Sequence, residues 1–232
     1  GESGRLAFFI AMAIALYVFH QRPVRFALGI AAVLFVPQWD FDDGSLLARE
    51  RSFFGISVVD SNKSGRVHML RHGTTLHGIQ LMDAAARREP LSYYGREGPL
   101  GQLFSALNQR GALTQIAAVG LGVGTVACYA RPGQKFTFFE IDPWIERFAR
   151  DAALFRYLSD CGKNAAMRLG DGRRSLLLAA DGAFDLIILD AFSSDAIPVH
   201  LMTREALALY LRKLSKHGVI AFHISNNFVD LE

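Results

Sequence analysis

Apolar positions follow three different patterns along this chain, and each predicts a different kind of element. The first is continuous. Leu6–Phe19 is a run of fourteen residues without a charge, and Phe26–Val36 is a second apolar run of eleven. His20–Arg25 between them is polar and basic, and Pro37, Asp40, Asp42, Asp43 and Gly44 end the pair. Neither run has a polar face, so neither reads as a surface helix of a larger domain. Both are shorter than the roughly 20 residues of a full span. The expectation is an apolar helical N-terminus over 1–44 that attaches to a membrane as one tilted helix or as a Pro-broken hairpin. A buried helical pair or a dimer interface is the alternative. A cleaved signal peptide fits less well, because no small-residue cleavage site precedes the polar stretch. Arg22 and Arg25 favour a cytoplasmic link. Two full crossings would then put the following domain outside, but the second run is only about 16 Å long as a helix and suits the interface.

The second pattern is short and alternating. Ser52–Val59 and Gly65–Leu70 read as strands, with turn chemistry in Ser61-Asn62-Lys63-Ser64-Gly65 between them, which predicts a β-hairpin. His72–Gly78 follows as a glycine-bounded loop, and Leu91–Gly101 as a loop carrying Tyr93 and Tyr94. This small β-rich segment and its linker occupy 45–100.

The third pattern fills 101–232. Short apolar strands alternate with helices: Gln115–Gly120, Phe136–Ile141, Ala165–Leu169, Phe184–Leu189 and Gly218–Ile224 as strands, with helices over Gln102–Gln109, Thr125–Ala130, Arg173–Ala180 and Thr203–Leu214. Fully apolar strands with short links to helices predict a doubly wound, mostly parallel α/β sheet of Rossmann type. The expected last strands of such a sheet do not follow the fifth.

Composition narrows the rest. With 51% hydrophobic and 20% charged residues, extensive disorder is excluded. A net charge of +3 with scattered Arg gives no stripe for nucleic acid. Cys128 and Cys161 are too few for a disulfide framework or a CxxC zinc site, which suits an intracellular type of domain. His68, His72 and His77 have no compelling metal-ligand spacing and no completing carboxylate, so they read as surface or pocket-lining residues and no metal is expected.

Candidate chemistry gathers at the carboxyl ends of the strands, where open α/β sheets bind ligands. Gly120-Leu121-Gly122-Val123-Gly124 follows the first strand, and its glycines allow close backbone approach. It lacks the lysine of a phosphate-binding P-loop. Glu140, twenty residues after Gly120, is placed to accept ribose hydroxyls, with Asp142 beside it. Gly170-Asp171-Gly172 ends the third strand and Asp190 the fourth.

This set resembles the class I S-adenosylmethionine-dependent fold and, within it, the spermidine/spermine synthase (polyamine aminopropyltransferase) family. The residues that carry the resemblance are the glycine loop, Glu140-Ile141-Asp142, Gly170-Asp171-Gly172, and Phe184–Asp190 followed by Ser193-Ser194-Asp195 and Pro198. The apolar N-terminus is similar to that of the membrane-fused bacterial subgroup. The resemblance implies a transferase that moves an aminopropyl group from decarboxylated S-adenosylmethionine to an amine or polyamine. It implies that Gly120, Gly122, Gly124, Glu140, Asp142, Asp171 and Gly172 hold the donor. Tyr93 would shape the acceptor pocket, Asp190 would orient the amine or the donor's tail, and Asp195 would accept the amine proton. It implies a bacterial inner-membrane protein with its catalytic domain in the cytoplasm, or otherwise a cytoplasmic one, and a possible homodimer.

The sequence departs from the family where an acid in the glycine loop is Val123, where a pocket carboxylate is Gly95, and where a Tyr-Gln pair is Phe54-Gly55. Fewer anions for a dication reads against putrescine as the acceptor. Two rivals follow: an S-adenosylmethionine-dependent methyltransferase, which Val123 favours, and a non-catalytic membrane-tethered nucleotide-binding domain. A nicotinamide-dependent oxidoreductase fits the glycine spacing less well.

Overall fold

The computed structural model describes residues 17–18, 21–35, 44–73, 75–111, 113–192 and 197–224. The chain divides into two compact units, Gly1–Asp43 and Gly44–Glu232. In the first, a helix spans Pro23–Phe35, with proline at its start where a missing N–H costs nothing. Among the described residues no helix is long and apolar enough to cross a membrane. Most of the first apolar run and the end of the second lie outside the described residues.

The second unit contains two sheets. The first is a four-stranded antiparallel meander, β1 (Ser45–Ser52), β2 (Gly55–Ser61), β3 (Val67–His72) and β4 (Thr75–Leu81), in spatial order 1-2-3-4. The expected hairpin is its centre. Its turn forms as read, with the Asn62 side chain accepting from the N–H groups of Arg66 and Val67. The reading misses two strands. β1 lies in a polar stretch (Ser45-Leu46-Leu47-Ala48-Arg49-Glu50-Arg51-Ser52) and borrows its order from pairing with β2. The expected loop after His72 is instead a tight hairpin, with His72 opposite Thr75.

The second sheet is parallel: β5 (Gln115–Val119), β6 (Lys135–Glu140), β7 (Ala166–Leu169), β8 (Phe184–Leu189) and β9 (Leu214–Phe222), in order β7-β6-β5-β8-β9. All five expected strands are present within a few residues, β9 beginning four residues earlier than read. Burial on both faces explains the unbroken apolar runs. On β5, Ile116 and Ala118 pack with Phe104, Phe138 and Leu186, while Ala117 and Val119 face the other way toward Phe139, Leu176 and Tyr210. Val59 and Leu70 of the antiparallel sheet share a third apolar cluster with Val123, Phe148 and Tyr157.

Three local differences from the sequence reading have physical causes. The stretch after the glycine loop is a 3₁₀ turn, Thr125–Tyr129, rather than an α-helix. Pro143–Arg150 forms a helix that the strand-centred reading passed over, started by Pro143 and capped by Asp142, whose side chain accepts from the Trp144 N–H. Cys128 and Cys161 are joined in a disulfide. Two cysteines cannot form a framework, but the fold brings these two together from the 3₁₀ turn and the end of the helix Tyr157–Asp160.

Candidate active site

The chain runs outward from β5 to β6 and β7, then returns across the sheet to β8 and β9. Strand order therefore reverses at β5, which opens a crevice at its carboxyl end. Parallel register aligns the residues just past each strand. The Gly120 N–H donates to Phe139, Asp190 N–H to Val119, Gly170 N–H to Glu140 and His223 N–H to Leu189, all on carbonyl oxygens at 2.8–2.9 Å. Gly120, Glu140, Asp190 and His223 thus stand side by side by construction of the ladder. A cavity of about 400 Å³ is lined by Gly120, Glu140 and Asp190 of this row, within the range of small-molecule sites.

Two glycines of the loop are required by close approach. Gly120 has φ +99°, and a Cβ there would lie 2.2 Å from the Asp190 carbonyl oxygen. At Gly122 a Cβ would come within 2.9 Å of the His77 carbonyl oxygen, so the loop threads between the β8 tip and the β4 hairpin. Both line the cavity, as do Glu140, Asp142, Asp171, Gly172, Tyr93 and Asp190. Gly124 is not on its wall; it caps the 3₁₀ turn against Leu158. Asp195, expected to accept the amine proton, lies outside the described residues.

Each carboxylate of the wall is already held. Glu140 is buried, and burial pushes its pKa up, while backbone N–H groups of Asp142, Leu121 and Ile141 pull it back. One oxygen accepts from Leu121 at 2.9 Å, which pins the glycine loop; the other accepts from Ile141 and Asp142 at 2.8 and 2.9 Å. Asp142 accepts from Ser52 Oγ at 2.6 Å and from the Trp144 N–H, so it ties β1 to the helix it caps. Asp171 caps the helix Gly172–Leu177 through the Arg174 N–H, and His200 Nε2 lies 2.9 Å from its other oxygen. Asp190 takes the Tyr94 hydroxyl on one oxygen and His223 Nδ1, at 2.6 Å, on the other.

Tyr93 packs between two rings, with centroids 4.3 Å from Tyr94 and 4.3 Å from His223. Burial, then the Asp190 charge, push its pKa up to about 12, so its hydroxyl stays protonated at neutral pH. Burial and the same carboxylate hold Tyr94 well above the ordinary tyrosine range.

Of the three histidines, His72 and His77 line the cavity. His68 instead turns its Nδ1 to the Leu154 carbonyl at 2.7 Å, away from the site. The sequence reading missed His200 and His223. His223 was findable in principle, since it is the first polar residue past β9, as Asp190 is past β8. Among the described residues no group of His, Cys, Asp and Glu could hold a metal ion.

The arrangement is an apolar cavity with carboxylates at three strand tips, those of β6, β7 and β8. It suits a ligand that carries hydroxyls, a base amino group and a positive charge. Together with the strand order it defines the class: an α/β domain with the spermidine synthase and methyltransferase-like fold. Solved structures agree on the fold. A probable spermidine synthase from Corynebacterium glutamicum superposes with a TM-score of 0.62 at 17% identity, covering 77% of this chain and 62% of that one. Spermidine synthase from Thermotoga maritima gives 0.52 at 15% identity, covering 76% and 56%.

Sequence comparison then gives the family. Polyamine aminopropyltransferase from Vibrio vulnificus is 32% identical over 213 residues, 89% of this chain and 67% of that protein. The chain belongs to the polyamine aminopropyltransferase family, a family of transferases. An N-terminal histidine N-methyltransferase from Emericella nidulans is 27% identical over 205 residues, 80% of this chain and 35% of that protein. No family model matches the chain.

Proposed function

We propose that the cavity binds the adenosyl part of a decarboxylated S-adenosylmethionine donor and transfers its aminopropyl group to an amine. The observation that carries this reading is the row of strand-tip carboxylates, Glu140, Asp171 and Asp190, on one cavity beside the Gly120–Gly122 turn. Membership of the family supports it, and one spermidine synthase with a similar fold is described in complex with a transition-state analogue. Glu140 keeps lone pairs for the ribose hydroxyls, and Asp171 for the adenine amino group. Asp190 orients the amine.

In the transfer, the amine lone pair forms a bond to the carbon next to the sulfonium. The C–S bond breaks and its electron pair stays on sulfur, which leaves as the neutral thioether methylthioadenosine. The nitrogen's proton passes to the Asp195 carboxylate. The protein's work is alignment of nucleophile, carbon and sulfur, since the sulfonium already activates its carbon. Carboxylates favour the protonated amine, so proton loss is coupled to attack. The membrane-fused subgroup remains part of this reading, on the two apolar N-terminal runs.

The test is release of methylthioadenosine from decarboxylated S-adenosylmethionine with a panel of amines. Release that depends on the amine supports the reading; tight donor binding with no release for any amine points to a non-catalytic binding domain.

One observation favours a second reading, a methyltransferase that uses S-adenosylmethionine itself. The loop position that carries an acid in the family is Val123, buried at 1% exposure and packed against the antiparallel sheet. An acid there would repel a donor that keeps its carboxylate. Calorimetric titration with each donor separates the two: tighter binding of the carboxylated form favours methyl transfer.

A further inference from the structure

We propose that His223 is a positioning residue that holds the Asp190 carboxylate in the orientation from which it aligns the acceptor amine. The inference rests on the aminopropyl-transfer reading and extends it to a residue beyond the acidic strand tips.

The placement follows from the sheet. Leu189 and Phe222 are partners in the parallel register, so Asp190 and His223 are the next pair up the ladder. His223 Nδ1 lies 2.6 Å from Asp190 Oδ1. Asp190 Oδ2 is held by the Tyr94 hydroxyl. An ionised carboxylate only accepts, so Nδ1 carries the proton and donates. Two donors from two different elements, one on each oxygen, fix the plane of the carboxylate. Charge-assisted bonds of this kind are the stronger class.

The imidazole is itself gripped. Its ring lies 4.3 Å from Tyr93 and 4.8 Å from Phe192, centroid to centroid, the latter edge to face. Tyr93 and Phe192 line the cavity; His223 is not among the lining residues but packs against both of these rings. Losing Nδ1 frees one oxygen of Asp190 to turn toward water, and the carboxylate then no longer points where the amine nitrogen must sit. Misplacements of this order cost rate rather than donor affinity.

The experiment compares His223→Phe, which keeps the ring stack but removes the donor, with His223→Asn, whose amide N–H falls near Nδ1. Amine-dependent methylthioadenosine release gives kcat and the amine KM, and calorimetry with methylthioadenosine gives adenosyl-site affinity. The expected result is a kcat lower by about 10- to 100-fold in His223→Phe, exceeding any rise in KM. Methylthioadenosine affinity is expected to be unchanged, and most of the rate to return in His223→Asn. Equal activity of His223→Phe and the unaltered chain overturns the inference, as does an equal loss in both variants or a parallel loss of methylthioadenosine affinity.

Proton NMR gives a second measurement that needs no turnover. The imidazole Nδ1–H held by Asp190 predicts a slowly exchanging downfield resonance that shifts when Asp190 is replaced by Asn; its absence overturns the inference. If the unaltered chain binds methylthioadenosine but releases none, the aminopropyl reading falls, while the resonance still decides whether His223 holds Asp190.

Discussion

Replacing Glu140 with Gln tests the part of the site that does two jobs at once. The carboxylate accepts three backbone N–H bonds, one from the glycine loop at Leu121 and two from Ile141 and Asp142. A glutamine can present its single oxygen to the Ile141 and Asp142 pair. Its NH₂ then faces the Leu121 N–H, donor against donor. A buried N–H left without an acceptor costs about 1–3 kcal/mol. Removing the charge offsets part of this, because burial already disfavours ionised Glu140.

The net expectation for Glu140→Gln is a loss of about 1–2 kcal/mol in unfolding free energy, read by urea denaturation. The ribose loses a charged acceptor worth about 1.5–3 kcal/mol. Methylthioadenosine affinity should therefore fall by about 10- to 150-fold in calorimetry. A variant as stable as the original that binds methylthioadenosine equally well would refute both the loop anchor and the ribose contact.

Other outcomes follow from groups away from Glu140. Burial and, for Tyr93, the Asp190 charge push the pKa of Tyr93 up to about 12, and burial does the same for Tyr210. The unfolded tyrosine ionises near pH 10, so this stability is fully present below pH 10 and lost as pH rises through about 12; urea midpoints measured from pH 9 to 12 should fall across that window. Asp185, at the opposite end of β8 from the cavity, accepts from the Thr114 N–H and hydroxyl, the Gln115 N–H and the Ser215 hydroxyl at 2.8–3.0 Å. Burial opposes its ionisation, but these bonds win and hold its pKa below the ordinary aspartate range. Its stabilisation is present above about pH 4 and lost as pH falls through its lower folded value. Asp185→Ala should cost about 2 kcal/mol in denaturation and leave methylthioadenosine affinity unchanged. The Cys128–Cys161 bridge joins residues 33 apart. Reduction should lower unfolding free energy by about 3–4 kcal/mol, and identical denaturation curves with and without reductant would count against a formed bridge.

How much of this was legible depends on the source of each signal. The parallel strands announce themselves because both faces are buried: Ile116-Ala117-Ala118-Val119 and Leu186-Ile187-Ile188-Leu189 leave no polar position to confuse the pattern. Glu140, Asp171 and Asp190 were readable because strand ends are marked by the first acid after an apolar run. β1 was not, because a strand whose residues are mostly exposed or half-buried carries no apolar period, and its register comes from β2. The bonds from Tyr94 and His223 to Asp190 span 96 and 33 residues and arise only when the sheet is assembled. The disulfide was hidden for the same reason. Its two cysteines lie 33 residues apart, on the 3₁₀ turn and at the end of the helix Tyr157–Asp160.

The most direct measurement is a crystal structure of the chain with methylthioadenosine. The nucleoside should lie in the cavity over β5, with its ribose hydroxyls on Glu140, its adenine amino group on Asp171 and its sulfur toward Asp190. Methylthioadenosine bound elsewhere, or a cavity that stays free of it at saturating concentration, would contradict the account.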